Sequence, residues 1–415
     1  MNNYLSLPQG VKDFGPQRAE ELKRVEESLL EEFSRWGYKR VITPLFEYLD
    51  TITVGLGDEL RTKVMKFVDP STGDIVALRP DITPQIGRIV ATQLKEVKVP
   101  LRLCYSGRVV RFEERGSGKE REVFQSGCEL IGLHCAEADA EIIALAVKSL
   151  EKQGLKNLVL DIGHTGILRV IFDKVGDISG ELRNALRKKD FEQIHSSLKN
   201  SDLDANTKDL LFRVFDSFGD TASLEMIAEY EEFKEYVDEI YKVLEILDEY
   251  RLNCDLSIDI GDIRGFNYYT GITFEIITPN APYPLLIGGR YDGLVEKYGH
   301  SSPATGFAID IESVLSVTKT HHEDNQVHFI IIPKNSGLRR EAIRLTQWLR
   351  SSGFKVILDL KKSFNLDYEK GDQNKSLTSY GVIFLETPTK LKLIESRSGI
   401  SREFSNLEEL LKGGI

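Results

Sequence analysis

The sequence predicts an α+β protein in which an antiparallel sheet with flanking helices is interrupted by a helical insertion and followed by a small C-terminal α/β domain. Short runs of β-branched residues separated by turns occur over residues 74–132 and again after the insertion. Between about residues 165 and 252, apolar residues instead repeat at helical spacing. In the last part of the chain strands and a helix alternate, which is typical of a doubly wound domain. We therefore predict a large domain over residues 1–319 and a small one over residues 327–415.

The first predicted element is an amphipathic helix over residues 17–36. Its apolar residues are three or four positions apart, and Gly37 is placed to end it. These apolar residues are Leu22, Val25, Leu29, Phe33 and Trp36. The β-rich segment that follows contains Pro44, which cannot donate a ladder hydrogen bond. We expect this segment to be an edge strand or an element that packs on another subunit.

The predicted sheet begins with three β-rich runs, DIVALR, VPLRLCYSGRVVRFEE and EVFQSGCELIGL, which we expect to form one antiparallel sheet. A helix that ends at Gly154 and the strand NLVLDIG follow. After the insertion strand patterns return, so residues from both sides of the insertion are expected to complete the sheet. These later runs are CDLSIDI, NYYTGITFEIIT and ATGFAIDIES.

The helical insertion has its clearest signal near its end. Apolar residues recur there every three or four positions, which predicts a helix with one buried face. These residues are Phe233, Val237, Ile240, Val243, Leu244 and Leu247.

The C-terminal domain is predicted from the strand VHFIIIP, the helix LRREAIRLTQWLRSSG and the strands FKVILDL and GVIFLE. It contains neither a G-x-G-x-x-G motif nor a P-loop, so nothing in it indicates catalysis. Residues 325–415 carry 15 Lys and Arg against 10 Asp and Glu, a net charge of +5 that leaves −16 on the rest of the chain. A weakly basic surface on this domain is compatible with RNA.

Composition and charge limit the location and the partners. The N-terminus lacks a signal-peptide run, and no stretch reaches the roughly 18 apolar residues that span a bilayer, so we expect a cytoplasmic protein with no membrane contact. The net charge of −11 makes nucleic acid an unfavourable partner, because binding to phosphates requires a basic footprint. The four cysteines have no CxxC spacing, and we expect core thiols rather than a metal site.

The turn LRPDITPQ carries the first polar residues that could act in a site. Asp81 and Thr83 follow the end of a predicted strand, and Pro80 and Pro84 stiffen the turn. A rigid turn can direct a carboxylate into a cavity. An Asx-turn, in which Asp81 bonds its own backbone, explains the same residues equally well.

Two predicted strands carry a stripe of polar side chains. Arg111 and Glu113 are two residues apart on one strand, and Gln125 and Glu129 share a face of the next. Because charged residues are rarely buried without a partner, the stripe is either a solvated sheet face or the floor of a polar cleft. For an isolated stripe the solvated face is slightly favoured. The basic loop ERGSGKER between the strands is compatible with a clamp over phosphates or with a hairpin tip.

Two Gly-rich segments, DIRGFNYYTG and IGGRYDGL, combine arginines with tyrosines. Gly288 and Gly289 of the second segment permit a close backbone approach or a positive φ. Either segment alone is also common in turns at sheet corners. The residues of interest are Arg264, Tyr268, Tyr269 and Tyr291.

Taken in order, five segments resemble histidyl-tRNA synthetases from residue 8 to about residue 318. They are LPQGVKDFGP, motif 1 around Pro44, motif 2 in RFEERGSGKEREVFQSGCE, and the histidine signatures RGFNYYTG and GGRYDGL. The resemblance implies a class II aminoacyl-tRNA synthetase-like fold and a homodimer formed through motif 1. It also implies that the C-terminal domain resembles an anticodon-binding domain.

The resemblance further implies a role for each polar residue of a histidine-binding site. Asp81 and Gln125 would hold the α-ammonium group, while Glu129 and Tyr269 would hold the imidazole with Tyr291 nearby. An imidazole needs one acceptor and one donor, which a carboxylate and a phenol supply. The resemblance adds Thr83, Tyr268, Arg111 for the substrate carboxylate and ATP α-phosphate, and Arg264 for adenylate formation.

Two residues of the segment GFAIDIES depart from the synthetase pattern. The family has glycine at the position of Asp310 and an ATP-binding arginine at the position of Ser313. Loss of one preorganised electrostatic contact typically costs about 3 to 4 kcal/mol, roughly 10²- to 10³-fold in rate. Asp310 adds a repelling charge near a polyanion, and Asn267, where synthetases usually have Asp, is a smaller change in the same direction. Adenylation is therefore expected to be badly impaired.

A histidine site without an ATP site resembles the regulatory subunits of ATP phosphoribosyltransferase, which are paralogues of the synthetases. Asp81, where synthetases generally have Glu, fits the same family. The resemblance implies a non-catalytic protein with L-histidine as effector, which mediates feedback control of the first step of histidine biosynthesis. It implies a short-form catalytic ATP phosphoribosyltransferase as partner, a homodimer within a hetero-octamer, and no cofactor or metal. Two alternatives stay open: an active histidyl-tRNA synthetase with an atypical motif 3, or another paralogue that binds histidine or a related molecule.

Overall fold

The computed structural model describes residues 6–112, 120–176, 179–188, 190–216, 219, 222–261, 263, 268–318, 328–359, 381–387, 390–395, 401–405 and 409. The chain divides into two compact units, Met1–Lys319 and Thr320–Ile415. Within these described residues, no helix combines the length and the apolar character that a membrane crossing requires.

The helices of the first unit lie before, between and after its strands. They are α1 (Pro16–Arg35), α2 (Leu49–Val54), α3 (Asp58–Thr62), α4 (Thr83–Thr92), α5 (Ala136–Lys152), α6 (Thr165–Val175), α7 (Ser179–Lys188), α8 (Phe191–Lys199), α9 (Ala205–Asp216), α10 (Ala222–Ala228), α11 (Glu231–Glu249), α12 (Gly293–Glu296) and α13 (Ile311–Val317).

Its strands form two sheets. They are β1 (Lys39–Arg40), β2 (Phe46–Tyr48), β3 (Lys66–Val68), β4 (Ile75–Leu78), β5 (Leu101–Val110), β6 (Glu122–Ile131), β7 (Leu158–His164), β8 (Cys254–Ile258), β9 (Ile272–Ile277), β10 (Leu286–Arg290) and β11 (Ala304–Asp310). In the described residues the larger sheet has the order β1-β5-β6-β11-β10-β9-β7-β8. The central strands from β5 to β7 are antiparallel to one another, while β1 and β8 join the two edges in parallel.

One face of the large sheet is apolar and covered by helices. Phe33 of α1 meets Phe307 of β11 edge-on, with ring centroids 5.8 Å apart, and Ile142 and Ile143 of α5 are fully buried in the same core. The predicted ends of α1 and α5 are confirmed, since Gly37 and Gly154 have φ of 83° and 77°, a conformation that glycine adopts without strain. The opposite face carries polar residues and is the side on which the candidate site lies.

The helical insertion connects two parallel neighbours. Strands β7 and β8 pair in parallel, and such neighbours require a crossover connection, which here consists of α6 to α11. The predicted apolar stripe of α11 is confirmed, because its residues are buried apart from the partly exposed Leu244. The expectation that both sides of the insertion complete one sheet is also confirmed.

The prediction of a single sheet over residues 74–132 is wrong. The run DIVALR forms β4, which pairs with β2 and β3 in a separate sheet of order β2-β4-β3. After β4 the chain turns into α4, so it reaches β5 on a new path, and Val110 at the end of β5 donates its backbone N–H to the carbonyl of Arg79, which follows β4 (2.9 Å). The edge position of β1 agrees with the prediction, but Pro44 lies between β1 and β2 rather than in a strand.

The sequence left a turn at the glycines of IGGRYDGL possible, but these glycines lie in a strand instead. Gly288 and Gly289 belong to β10, whose neighbours are β9 and β11. A Cβ at Gly288 would lie 2.6 Å from the Gly306 carbonyl oxygen and would overlap the Phe274 ring. The close backbone approach that was predicted for these glycines therefore occurs inside the sheet.

The cysteines are all free thiols. Cys104 and Cys128 face each other across β5 and β6 and are buried, as expected for core residues. Cys135 and Cys254 are partly buried and pack against the edge of the main hydrophobic core.

The second unit contains α14 (Arg339–Ser351) and the strands β12 (Phe329–Pro333), β13 (Val356–Leu358), β14 (Gly381–Leu385), β15 (Leu391–Glu395) and β16 (Ser401–Phe404). In its described part the sheet order is β13-β12-β14-β15-β16. Strand β12 is parallel to β13 and β14, which confirms the predicted alternation, whereas the antiparallel β15 and β16 were not predicted. Ala342 and Leu349 of α14 pack on this sheet.

Replacement of Gly288 tests how tightly the centre of the large sheet is packed. Gly288→Ala should lower the free energy of unfolding by about 1 to 3 kcal/mol, because the added methyl group overlaps the Gly306 carbonyl and the Phe274 ring. Gly180→Ala in α7 is the matched control, since a Cβ there meets nothing within 4 Å, and it should change stability by less than about 0.5 kcal/mol. Equal urea midpoints for the two variants would contradict the packing argument.

Candidate functional site

The floor of the site is built where β6 lies beside β11. Gln125 and Glu129 are four residues apart on β6, share one face and are 6% and 1% exposed. Glu129 is opposite Gly306 on β11, and Gln125 is opposite Asp310. A Cβ at Gly306 would overlap the Glu129 carboxylate, so the missing side chain is what allows this carboxylate to lie across the sheet.

The Glu129 carboxylate is enclosed and hydrogen-bonded. Its Oε1 accepts a bond from the Thr83 hydroxyl (2.7 Å), and its Oε2 accepts one from the Tyr291 hydroxyl. The Tyr105 hydroxyl is 3.4 Å from the Thr83 hydroxyl. Burial raises the pKa of Glu129 to about 8, against the lowering effect of these hydroxyl donors and with a further increase from the charge of Asp81. At neutral pH the protonated form of this carboxyl group is therefore favoured.

The turn after β4 brings a second acidic group beside Gln125. Asp81 Oδ1 accepts a bond from the backbone N–H of Ile82 (2.8 Å) and one from Gln125 Nε2 (3.1 Å). The local backbone bond runs to the next residue and not two residues on, as an Asx-turn would require, and the same carboxylate also bonds Gln125. Gln125 Oε1 is buried and has no hydrogen-bond partner among the described residues. Arg111 joins the turn by donating from Nε to the carbonyl of Pro80 (2.8 Å).

Three tyrosines form an aromatic wall. The rings of Tyr268 and Tyr291 stack with centroids 5.3 Å apart, and the Tyr269 ring meets Tyr268 edge-on at 5.2 Å. A Cβ at Gly289 would lie 2.9 Å from the Tyr269 ring, so this ring covers the glycine. The Tyr268 hydroxyl is buried without a hydrogen-bond partner in the described part of the chain.

Most of the predicted site residues are thus brought together. Asp81, Thr83, Arg111, Gln125, Glu129, Tyr268, Tyr269 and Tyr291 surround one region of the sheet face. Arg264, Asn267, Glu113 and most of the loop ERGSGKER lie outside the described residues. The polar stripe on β6 is buried, so the solvated-face interpretation is wrong for Gln125 and Glu129.

Tyr105 and Arg79 were missed by the sequence reasoning. Tyr105 is buried on β5 with its hydroxyl directed to Thr83. Its position two residues after Leu103, on the same face of the strand, was a usable signal of its burial. Arg79 is buried next to the Asp81 turn and donates to the Arg108 carbonyl (2.7 Å) and the Thr43 hydroxyl (2.7 Å). Burial lowers the pKa of Arg79, although the nearby acidic groups raise it. No local sequence signal distinguishes this structural arginine from one that binds a ligand.

The motif 3 segment is arranged around Asp310. This residue is the N-cap of α13, where its Oδ1 accepts bonds from the backbone N–H groups of Glu312 (2.9 Å) and Ser313 (3.3 Å). Its Oδ2 accepts a bond from the Ser313 hydroxyl (2.9 Å). The expectation of a free repelling charge is therefore incomplete, because the helix terminus stabilises this carboxylate. Asp310 is an acidic residue and Ser313 is uncharged, so neither position supplies the positive charge of the family's arginine.

The site offers hydrogen-bond acceptors and donors within one region of the sheet face. Among the described residues no group of three His, Cys, Asp or Glu side chains could hold a metal. The acceptor oxygens of Asp81 and Gln125 suit a cationic group. The enclosed carboxyl group and phenols suit a small ring with both a donor and an acceptor.

Comparison with known proteins agrees with this geometry. Residues 10–314 match the family model described as histidyl-tRNA synthetase. An ATP phosphoribosyltransferase regulatory subunit from Geobacter sulfurreducens is 39% identical over 88% of this chain and 86% of its own. A Bacillus halodurans structure described as "ATP phosphoribosyltransferase regulatory subunit/histidyl-tRNA synthetase" has a TM-score of 0.80 and 30% identity, over 91% of this chain and 97% of its own.

A more distant structure supports the fold alone. Apo histidyl-tRNA synthetase from S. aureus has a TM-score of 0.72 at 22% identity, over 98% of this chain and 99% of its own. The predicted class II aminoacyl-tRNA synthetase-like fold is therefore confirmed. The chain belongs to the histidyl-tRNA synthetase family and, within it, to the ATP phosphoribosyltransferase regulatory subunits.

Proposed function

We propose that this chain is a non-catalytic cytoplasmic regulatory subunit that binds L-histidine and passes its effect to a short-form catalytic ATP phosphoribosyltransferase. It thereby mediates feedback control of the first step of histidine biosynthesis. The observation that carries the proposal is the contrast between two parts of one sheet face. The amino-acid part keeps its polar groups around Glu129, whereas the nucleotide part has Asp310 and Ser313 in place of glycine and arginine.

The α-ammonium group of histidine fits beside the Asp81 turn. Asp81 offers a carboxylate, and Gln125 Oε1 is a buried acceptor without a partner in the described region. Three ammonium donors satisfy both acceptors, which removes the cost of an unpaired buried oxygen, about 1 to 3 kcal/mol. Arg111, held at the Pro80 carbonyl, is close enough to the same turn to receive the carboxylate of the ligand.

The imidazole fits between Glu129 and the aromatic wall. One ring nitrogen donates to Glu129, and the other accepts a hydrogen bond from a tyrosine hydroxyl. In the family this tyrosine is at the position of Tyr269. The hydroxyl of Tyr268 is a second candidate, because it is buried without a partner among the described residues. A pocket that is built to hydrogen-bond a polar ring rejects apolar analogues by factors of about 10⁴ to 10⁵. Selectivity for histidine over phenylalanine or leucine follows.

The nucleotide half disfavours ATP through charge. Asp310 is an anion at the N-terminus of α13, and the position of the family's ATP-binding arginine holds a serine that bonds this anion. A synthetase activity is the second possibility, because Arg111 is retained at its motif 2 position. The two functions differ in whether histidine drives exchange of pyrophosphate into ATP.

The central test is reconstitution with a short-form catalytic partner. Histidine should inhibit phosphoribosyl transfer only when this chain is present, and it should raise the unfolding free energy of the chain by about 2.7 kcal/mol at 100 times the dissociation constant. ATP alone should give no stabilisation, and ATP–pyrophosphate exchange should be absent.

Asp81→Asn should weaken histidine binding roughly ten-fold or more by removing a charged acceptor, whereas the exposed Asp202→Asn should not. Robust exchange would instead establish the synthetase.

The proton on Glu129 makes binding dependent on pH. In the empty site the pKa of Glu129 is about 8, and a neutral imidazole that donates to its carboxylate favours the ionised form. Binding below pH 8 therefore releases a proton, so affinity should rise between pH 6.5 and 8, by up to about ten-fold per unit, and level off above pH 8. Titration calorimetry in buffers of different ionisation enthalpy measures both quantities.

Glu129→Gln is the control for this prediction. The amide has no carboxyl proton to lose, so any slope that remains arises from the groups of histidine itself. An identical pH dependence in the wild type and in Glu129→Gln would exclude Glu129 as the titrating group.

We also infer a homodimer formed through motif 1. Phe46, Tyr48 and Phe67 lie on one face of the small sheet, with Phe46 and Phe67 in edge contact at 5.9 Å, and they are 44% to 55% exposed. In the connection before β2, Ile42 is 84% exposed. Exposed apolar groups of this density mark interfaces rather than ordinary surface.

Ile42→Asp should convert a dimer into a monomer, because a charge at an apolar interface is desolvated without a partner. Sedimentation velocity measures the change in mass, and circular dichroism checks that the fold is kept. Ile343→Asp, at a residue of α14 that is 39% exposed, should leave the mass unchanged. A monomeric wild type would contradict the dimer.

A further inference from the structure

We propose that α6 transmits occupancy of the histidine site to the helical insertion, so that the pair of α6 and α11 is the part of the subunit that responds to the effector. The inference rests on the proposed function of the site. It goes beyond that function by naming the elements that carry the signal.

The tyrosine segment of the site is attached to the first turns of α6. Arg169 donates from its guanidinium to the carbonyl of Tyr269 (2.8 Å). Thr165 donates both its backbone N–H (3.0 Å) and its hydroxyl (3.2 Å) to the carbonyl of Gly271. Because residues 165 and 169 are four apart, they lie on one face of the helix. The backbone on both sides of Thr270 is therefore held by a single helix of the insertion.

The opposite side of the segment is held by the sheet. Thr270 donates its backbone N–H to the Arg290 carbonyl (2.7 Å), and Asp292 donates its backbone N–H to the Thr270 hydroxyl (2.9 Å). Arg290 is 3% exposed and paired with Asp139 of α5 at 2.9 Å. An ion pair this deeply buried resists displacement, because separating its charges is strongly unfavourable. A movement of the segment is consequently directed toward α6 rather than into the sheet.

The start of α6 is in turn fixed to α11. His164, the N-cap of α6, accepts the backbone N–H of Gly166 at Nδ1 (3.0 Å) and bonds Glu239 of α11 through Nε2 (2.9 Å). Its ring stacks on Tyr236 of α11, with centroids 5.0 Å apart. The side chain of His164 is only 2% exposed. A Cβ at Gly166 would lie 2.5 Å from the Tyr236 ring, so the two helices approach closely at this point.

These contacts form one continuous path from the ligand to α11. It runs from the aromatic wall through the Tyr269 carbonyl to Arg169 and through the Gly271 carbonyl to Thr165, both on α6, and from His164 at the start of that helix to Glu239. The contacts of Arg169 and Glu239 are side-chain hydrogen bonds, so each can be removed by one substitution. A physical route of this kind counts as coupling only if both ends respond to the ligand.

Hydrogen exchange of the full-length protein at saturating L-histidine tests the path. In the wild type, histidine should slow exchange in α6 and α11 roughly five-fold or more, the lower end of typical coupling factors. Arg169→Ala should remove the response of both helices. Glu239→Ala should keep the response of α6 and remove that of α11. Arg213→Ala on α9, whose side chain pairs with Asp209 of the same helix, is the control and should keep both responses.

The outcomes separate the inference from the function on which it rests. Absence of histidine binding to the wild type would overturn both. Binding with slower exchange confined to the site or to α5 would overturn the inference alone, as would unchanged responses in the Arg169 and Glu239 variants. If Arg169→Ala cannot be saturated with histidine, Glu239→Ala decides, because the Glu239 carboxylate bonds His164 at the start of α6. Loss of histidine inhibition of the catalytic partner in Glu239→Ala, with histidine affinity retained, would support the path independently.

Discussion

The buried carboxyl group of Glu129 is the constraint on which the site depends. It lies across Gly306 and bonds residues from the start of α4 and the end of β10, so three separate parts of the chain meet at its two oxygens. A buried carboxylate without donors would cost several kcal/mol. Thr83 and Tyr291 therefore lower the free-energy cost of burying Glu129 by donating hydrogen bonds to it. The remaining acidic group, Asp81, is kept at the rim, where the local backbone and Gln125 stabilise it.

The protein keeps the synthetase-like fold although two residues, Asp310 and Ser313, depart from the synthetase pattern. Asp310 replaces a residue with no side chain, yet its carboxylate caps α13 and bonds Ser313. A cap of this type contributes about 0.5 to 2 kcal/mol to stability. The residues that would disfavour a nucleotide under the proposed function thus also stabilise the helix that follows. The departure from the synthetase pattern at these two positions is therefore compatible with the fold.

The sequence predicts the elements of this protein better than their assembly. Periodicity identifies α1, α11 and the central strands, because each buries one face at its own repeat. It cannot assign β4 to its own sheet, because pairing depends on where the chain turns after Arg79 rather than on the strand's composition. Within the site, motif spacing leads to Gln125 and Glu129, but the roles of Tyr105 and Gly306 depend on neighbours in other strands. Cross-strand contacts of this kind have no signature in a single segment.

Regulation of the proposed kind requires a ligand whose affinity differs between two conformations, because only a differential affinity can shift a conformational equilibrium. Gln125 Oε1 and the Tyr268 hydroxyl are buried without partners in the described residues, and each such atom costs about 1 to 3 kcal/mol. A ligand that hydrogen-bonds one of them would gain as much free energy as a typical allosteric coupling, about 1 to 3 kcal/mol. Under the proposed function, these two atoms are therefore where histidine would gain affinity and where the free energy for regulation would arise.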